Sequence, residues 1–498
     1  MELDRDLASL QEARNLVRAA RKAQEIIKNF SQDQVDRIID VMREAGEENS
    51  ARLAMMAVSE TGMGKYEDKC LKNFFASHYV FESIKTMKTV GIIREDNERK
   101  IWEIAEPVGV IAGIVPTTNP TSTVIYKAMI ALKSRNAIVF SPHPSAVRCT
   151  LEAAKLMNQA AVSAGAPDGV ISCLSIVTMG ATNELMKHPE TALILATGGS
   201  GLVKAAYSSG KPALGVGPGN VPAFVERSAD LAKAAEHIII GKTFDNGTIC
   251  ASEQAIVAEE CIADELALHL KRNGAYFLEP DEVQKVTKLV MLAQGGMNPK
   301  VVGKDAKFIA QNAGINVPEK TTCLVAPLQS VGPQQPLSYE KLTTVIGFYR
   351  VRDWHEGCER CIELLQAGGI GHSLVIHSEN EEIIREFGLK KPIFRILVNT
   401  PASLGGVGGT TGLAPSFTLG CGTWGGSSIS ENVTPLHLIN IKRVAWPVRT
   451  PEQLALPQHM VATQSVTPEV TSPGSEINPE MIREIIEQVL RQIGSCKS

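Results

Sequence analysis

Long apolar runs are missing from this chain. Its 498 residues contain no stretch of about 18 consecutive apolar residues, so no membrane-spanning helix is expected. An excess of one charge is missing too. A formal net charge of −4 supplies no basic face for nucleic acid or for an anionic membrane surface. The start, MELDRDLASLQEARNLVRAARKAQEII, is charged and helical in period and lacks the apolar core of an export signal. A cytoplasmic location is therefore expected, where the ten cysteines stay mostly reduced. They are scattered and lack metal-ligand spacing. The one CxxC, Cys358 to Cys361, falls in a helical-looking segment with no second pair nearby and reads as packing. No metal site is expected, while thiol chemistry stays open.

What is present is ordinary for a globular protein: 44% hydrophobic and 21% charged residues, in a chain long enough for two or three domains. Helical periodicity dominates to about Val90, and Ser31 is placed to cap SQDQVDRIIDVMREAGEENSARLAMMAVSET. Short apolar runs follow (KIWEIAEPVGVIAGIVP, NAIVFSP, GVISCLSIV, TALILAT), separated by helical stretches. That alternation predicts an α/β fold with a parallel, doubly wound sheet, whose ligands sit at the carboxyl ends of the strands. A second alternating region from Cys250 to about Asn399 predicts a second α/β unit.

Three post-strand loops and one cysteine carry unusual content. In IVPTTNPTS, Asn119 opens a helix, either as a cap or as an amide donor to a developing oxyanion. In FSPHPSA, Ser141 and His143 sit where a strand meets a helix, fit either for a turn or for phosphate or ribose. In ATGGSG, Gly199 lets backbone approach a ligand, although the GxGxxG dinucleotide pattern is absent. Cys250, in FDNGTICASEQ, stands where an Asn-Gly turn meets a strand, as inert filling or as a nucleophile.

Taken together with LILATGGSGLVKAAYSSGKPALGVGPGN, GGIGHS, RILVNTPAS and LAPSFTLGCGTWGGSSISENV, these motifs resemble the aldehyde dehydrogenase superfamily. The similarity is strongest to its CoA-acylating branch, including the aldehyde dehydrogenase half of bifunctional aldehyde–alcohol dehydrogenases. It covers roughly residues 10 to 447. The resemblance implies an aldehyde dehydrogenase-like fold with two doubly wound α/β domains: a nucleotide-binding domain over 1–240 and a catalytic domain over 241–430. Residues 98–110 and an oligomerisation strand over 431–447 would form an arm. By motif, Cys250 is the nucleophile and Asn119 the oxyanion donor. Thr117, Thr118, Pro120, Thr121, Ser122, Gly199 and Gly217 would contact NAD, Glu340 in SYEKL its nicotinamide ribose, and Leu374 in GHSLV would lie nearby. Short-chain aldehyde and CoA are the implied substrates, and a homo-oligomer, dimer or tetramer, the implied assembly.

Two departures from the wider superfamily matter. Water-using members carry a glutamate in an ELGGK-like stretch. Here KPALGVGPGNVPAFV has no carboxylate before Glu226, so a CoA thiol, nucleophilic near neutral pH, is the expected acyl acceptor. A hydrolytic aldehyde dehydrogenase, and a catalytically dead scaffold, remain the alternatives. The chain also ends before any iron-binding alcohol dehydrogenase domain, so a monofunctional enzyme is expected. In VFSPHP, a ribose-binding lysine of the superfamily is replaced, leaving NAD versus NADP to His143 or the loop backbone. What activates Cys250 is not visible locally; His372 is the candidate by resemblance, with Glu253 a weaker one.

After Trp446 and Pro447 the composition shifts to Pro, Ser, Thr and Gln, which predicts a flexible linker over 448–477. INPEMIREIIEQVLRQIG follows, with Asn478 as N-cap, Pro479 first in the helix and Gly494 at its end. Ile482, Ile485, Ile486, Val489 and Ile493 share one face, and Glu487 can pair with Arg491. A short amphipathic helix on such a linker resembles the encapsulation peptides of bacterial microcompartments. Residues 478–494 are thus expected either to bind a shell protein or to dock on the enzyme itself.

Overall fold

The computed structural model describes residues 4–293, 295–454, 456 and 478–494. The chain forms two compact units: Met1–Asn97 with Ile101–Val444, and Glu98–Lys100 with Ala445–Ser498.

Helices fill the first unit as far as Ile84, and Ser31 caps the Gln32–Glu48 helix in a reciprocal box with Gln34, as its position predicts. Strands β1 (Gly91–Asp96) and β2 (Ile101–Pro107) then pair antiparallel. Next come β3 (Val110–Ile114), β4 (Ala137–Ser141), β5 (Ile171–Cys173), β6 (Thr191–Thr197) and β7 (Ala213–Val216), in a parallel sheet of order β5-β4-β3-β6-β7. Every residue of β3 and β4 is buried. Helices cover both faces, so these strands read as continuous rather than alternating apolar runs.

A second parallel sheet contains β8 (Val221–Val225), β9 (Glu253–Glu259), β10 (Ala275–Phe277), β11 (Cys323–Pro327), β12 (Val345–Val351), β13 (Leu374–His377) and β14 (Ile396–Val398). Its order is β10-β11-β12-β9-β8-β13-β14. Finally β15 (Ile439–Ala445) lies against β2, completing a three-stranded sheet from residues 91–107 and 439–445.

Two expected boundaries move. The passage from the first sheet to the second falls between Val216 and Val221, not at 240/241, because the fully buried β8 pairs with β9 and β13. The expected 241–430 domain is also not one body. Val407, Phe417, Leu419, Cys421 and Val433 pack into the first sheet's core, so the chain returns to that layer before β15.

In the second unit, Asn478 Oδ1 accepts from the Glu480 N–H (3.0 Å) and opens the Pro479–Gly494 helix. Met481, Ile482, Ile485, Ile486, Val489 and Leu490 are all exposed. Ile493, the Arg491 partner expected for Glu487, and most of the 448–477 linker lie outside the described side chains and residues. Among the described residues no helix is long and apolar enough to cross a membrane, and no cluster of His, Cys, Asp or Glu could hold a metal.

Candidate active site

The turn before Cys250 is built from the residue types its backbone requires. Asp245 (φ 47°), Asn246 (φ 54°) and Gly247 (φ 73°) are consecutive left-handed residues, a conformation that Asp, Asn and Gly tolerate best. The turn delivers Thr248, Ile249 and Cys250 to the wall of a cavity of about 830 Å³. Opposite them stand the loops leaving the carboxyl ends of β3, β4 and β6, as a doubly wound sheet demands. Cys250, by contrast, stands at the amino end of its own strand, β9. The cavity therefore lies between the carboxyl edge of one sheet and the amino edge of the other.

Of the residues expected at the site, Thr117, Thr118, Asn119, Ser141, His143, Gly199, Gly217, Cys250 and Glu340 line this cavity together. Four do not. Pro120, Thr121 and Ser122 turn into the wholly buried Pro120–Lys133 helix, where the Thr121 hydroxyl donates to Asn73 Oδ1 (2.7 Å). Leu374 is buried on β13 in the core of the second sheet, because its register against Ile396 directs it there.

The capping alternative fails for Asn119. It occupies the N-cap, yet its side chain makes no capping hydrogen bond. Instead Oδ1 accepts from Lys72 Nζ (2.6 Å) and Nδ2 donates to Thr118 Oγ1 (3.1 Å). His143 does serve its turn, since Nδ1 accepts from the Ser145 N–H (3.1 Å). The Ser141 hydroxyl meets that of Thr182 (2.8 Å).

A dinucleotide fits the lining. Added Cβ atoms at Gly199, Gly201 and Gly217 would meet nothing within 4 Å, so backbone there faces open space. Gly199 also opens the Ser200–Tyr207 helix without a side-chain cap, leaving its N–H groups for an anion. Neither lysine nor arginine lines the cavity among the described residues. Glu340 is the only carboxylate lining it among those residues; it accepts from the Gly219 N–H (2.9 Å), and burial pushes its pKa up to about 7.

Burial pushes the Cys250 thiol up to about 12, and the Glu340 carboxylate adds to that; Arg395 opposes both. The Arg395 guanidinium is itself held by Asn432 Oδ1, the His372 carbonyl and the Gly420 carbonyl. Glu253 faces elsewhere: Oε1 accepts from the Ala402 N–H (2.6 Å), and Glu253 is absent from the lining. His372 packs beside the Cys250 loop. A Cβ on Gly219 would lie 2.3 Å from the Cys250 carbonyl oxygen and 3.0 Å from the His372 ring. Burial drives His372 down to about 3, so the imidazole is neutral, with Nδ1 against Ser373 Oγ (3.0 Å). Of the Cys358 and Cys361 pair, Cys361 is buried in the core of the second sheet, while Cys358 is half-buried and in contact with Lys391.

Because the thiol is largely protonated in the free protein, its alkylation by iodoacetamide should rise about tenfold per pH unit from pH 7 to 9.5. Glu340→Gln should speed the reaction at each pH. Peptide mass spectrometry of Cys250 reads the rate, and a plateau near pH 8.5 would contradict the buried, acid-neighboured thiol.

Sequence reasoning missed Lys69, Lys72, Lys127 and the role of Asp245. Lys127 donates to the Ile114 carbonyl (2.7 Å) and the Leu195 carbonyl (2.8 Å), tying β3 to β6 beneath the cavity. The only local signal was a lysine on the buried face of an otherwise apolar helix.

A profile of the aldehyde dehydrogenase family matches residues 5–275. The bifunctional aldehyde-alcohol dehydrogenase AdhE of Escherichia coli K12 is 46% identical over 444 residues, covering 88% of this chain and 50% of that protein. The chain thus spans about half the length of such relatives. A crystal structure of an acetylating aldehyde dehydrogenase from Geobacillus thermoglucosidasius superposes with a TM-score of 0.89 at 54% identity, over 90% of this chain and 99% of that one. A propionaldehyde dehydrogenase from the fucose utilisation bacterial microcompartment of Clostridium phytofermentans gives a TM-score of 0.79 at 32% identity, over 87% and 97%. With its two parallel sheets and a cysteine at the cavity between them, the chain belongs to the aldehyde dehydrogenase family.

Proposed function

We propose that this chain is a CoA-acylating aldehyde dehydrogenase converting a short-chain aldehyde, CoA and NAD⁺ to acyl-CoA and NADH, reversibly. The observation that carries this reading is a thiol and a carboxamide, Cys250 and Asn119, on one cavity whose only carboxylate among the described residues, Glu340, is engaged by the Gly219 N–H. Cys250 Sγ, its thiol proton released to solvent, adds to the aldehyde carbon. The oxyanion so formed accepts from Asn119 Nδ2 and from the Cys250 N–H. When bound, the nicotinamide supplies the hydride acceptor. Loss of hydride leaves an acyl thioester on Cys250, and the CoA thiolate displaces it. One thioester replaces another, so the reverse direction is accessible.

NAD is favoured over NADP because an added 2′-phosphate would meet no lysine or arginine in the lining among the described residues. The rival hydrolytic reading needs a base, and Glu340 is the carboxylate available to it. The test is stoichiometry across aldehydes of two to five carbons: acyl-CoA should appear mole for mole with NADH, and free acid in its place overturns the proposal.

We further infer a homo-oligomer, dimer or tetramer, joined through the three-stranded sheet. Most residues of β1 and β15 are exposed, Ile92 and Val444 among them, and such strands call for a partner surface. Residues 478–494 are proposed to dock on a microcompartment shell protein. A 16-residue helix with an exposed apolar stripe is near the limit of stability alone and calls for a partner. The microcompartment origin of a structural relative agrees with this. Removing everything after Val448 should leave kcat, KM and oligomeric state unchanged but abolish co-purification with shells. Loss of the fold or of the oligomer on truncation would make the helix a structural element instead.

A further inference from the structure

Behind the wall that carries Asn119 lies a buried ionic cluster that the reaction scheme does not use. The Tyr66–Phe74 helix turns Lys69 and Lys72, one turn apart, inward, and both are almost fully buried. They meet Asp245, which is wholly buried in the left-handed turn before the cysteine. Asp245 Oδ1 accepts from the Lys65 N–H (2.8 Å), and Oδ2 accepts from Lys69 Nζ (2.9 Å), Lys72 Nζ and Thr248 Oγ1 (2.7 Å). Gly64 makes room for this carboxylate, since a Cβ there would lie 1.9 Å from Oδ1. Lys69 also donates to the Thr118 carbonyl (2.9 Å).

Lys72 is the link to the site. Its three N–H bonds have three acceptors: Asp245 Oδ2, Thr248 Oγ1 (3.0 Å) and Asn119 Oδ1 (2.6 Å). Thr248 and Asn119 line the cavity and Lys72 does not, so the ammonium grips both walls from behind. An ammonium has no acceptor capacity, so only the carbonyl oxygen of the Asn119 carboxamide can face it. The amide nitrogen is thereby committed to the opposite side, where one N–H goes to Thr118 Oγ1 and the other is left for a ligand. A charged donor on Oδ1 also polarises the amide and strengthens its N–H groups as donors. Burial lowers the Lys72 pKa to about 8 and Asp245 opposes that, so the ammonium persists at pH 7.

We propose that Lys72, clamped by Asp245, is a positioning residue that presets the Asn119 carboxamide, nitrogen outward, for the oxyanion. The proposal rests on Asn119 being the oxyanion donor. It also explains why a left-handed turn with a buried aspartate precedes the cysteine: the same carboxylate that shapes the nucleophile's loop orients the group across from it.

A double-mutant cycle on the full-length chain tests this, with steady-state kinetics at saturating CoA and NAD⁺. Asn119→Ala should lower kcat by about 10²–10³-fold, the usual loss for an oxyanion donor. Lys72→Met should lower kcat about 10- to 100-fold, with the aldehyde KM changed by less than about threefold, because the interaction it governs is made only in the transition state. The double variant should be no slower than Asn119→Ala alone, since Lys72 acts through that amide. A kcat loss that multiplies the two single losses, or a wild-type kcat in Lys72→Met, overturns the positioning role while leaving the oxyanion reading intact. A wild-type kcat in Asn119→Ala overturns the oxyanion reading itself. Should Lys72→Met not fold, Lys72→Gln takes its place in the cycle, since it drops the charge and can also accept, yet keeps a polar group beside Asp245 and leaves Lys69 paired with that carboxylate.

Discussion

Cys250→Ala is expected to lose at least about 10⁴-fold in turnover, in aldehyde oxidation and in acyl-CoA reduction alike, because the covalent step has no substitute nucleophile. Among the described residues Cys250 is the only cysteine lining the cavity; Cys421 is buried, and its Sγ contacts the Leu419 carbonyl (3.6 Å). The pyridine nucleotide should still bind with nearly unchanged affinity, since the lining that receives it comes from the loops after β3, β4 and β6. Titration of NADH fluorescence measures that affinity, and stopped-flow absorbance measures turnover. Residual turnover above about one per cent of wild type would remove the thioester from the scheme.

Without CoA, the wild-type enzyme should release about one NADH per active site in a burst and then slow by at least about 10²-fold, the usual contribution of a positioned general base. The acyl thioester then waits for a nucleophile. The run from Ala213 to Gly219, which continues the sheet toward the cavity, brings glycines and a proline rather than a carboxylate. Glu253 is turned toward the Ala402 N–H, and Glu340 toward the Gly219 N–H. Adding CoA should restore the full rate at once and shift the product wholly to acyl-CoA. Steady formation of free acid without CoA would favour hydrolysis, and its loss in Glu340→Gln would name Glu340 as the base. Chain length is a weaker discriminator: one methylene in an apolar pocket is worth only about 1–3 kcal/mol, so neighbouring aldehydes should differ in rate by modest factors.

Much of this protein was legible in local chemistry. Buried strands such as VIAGI and AIVFS could be read because a doubly covered parallel strand has polar side chains on neither face. Ser31 and Asn478 were legible as caps because a helix start needs an acceptor within two or three residues. Asn246 and Gly247 were legible as a turn by residue type, which placed Cys250 between that turn and a strand. The rest depends on groups far apart in the chain, which meet only once it is folded. Val221–Val225 looks like any buried strand, and its membership of the second sheet was set by pairing with β9 and β13. Leu374 sits one step from a site motif, yet its register sends it into the core. Lys72 and Asp245 are 173 positions apart, and each alone reads as an ordinary surface charge. Their burial is tolerable only because the two charges meet beneath Asn119, an event that no periodicity or local propensity encodes.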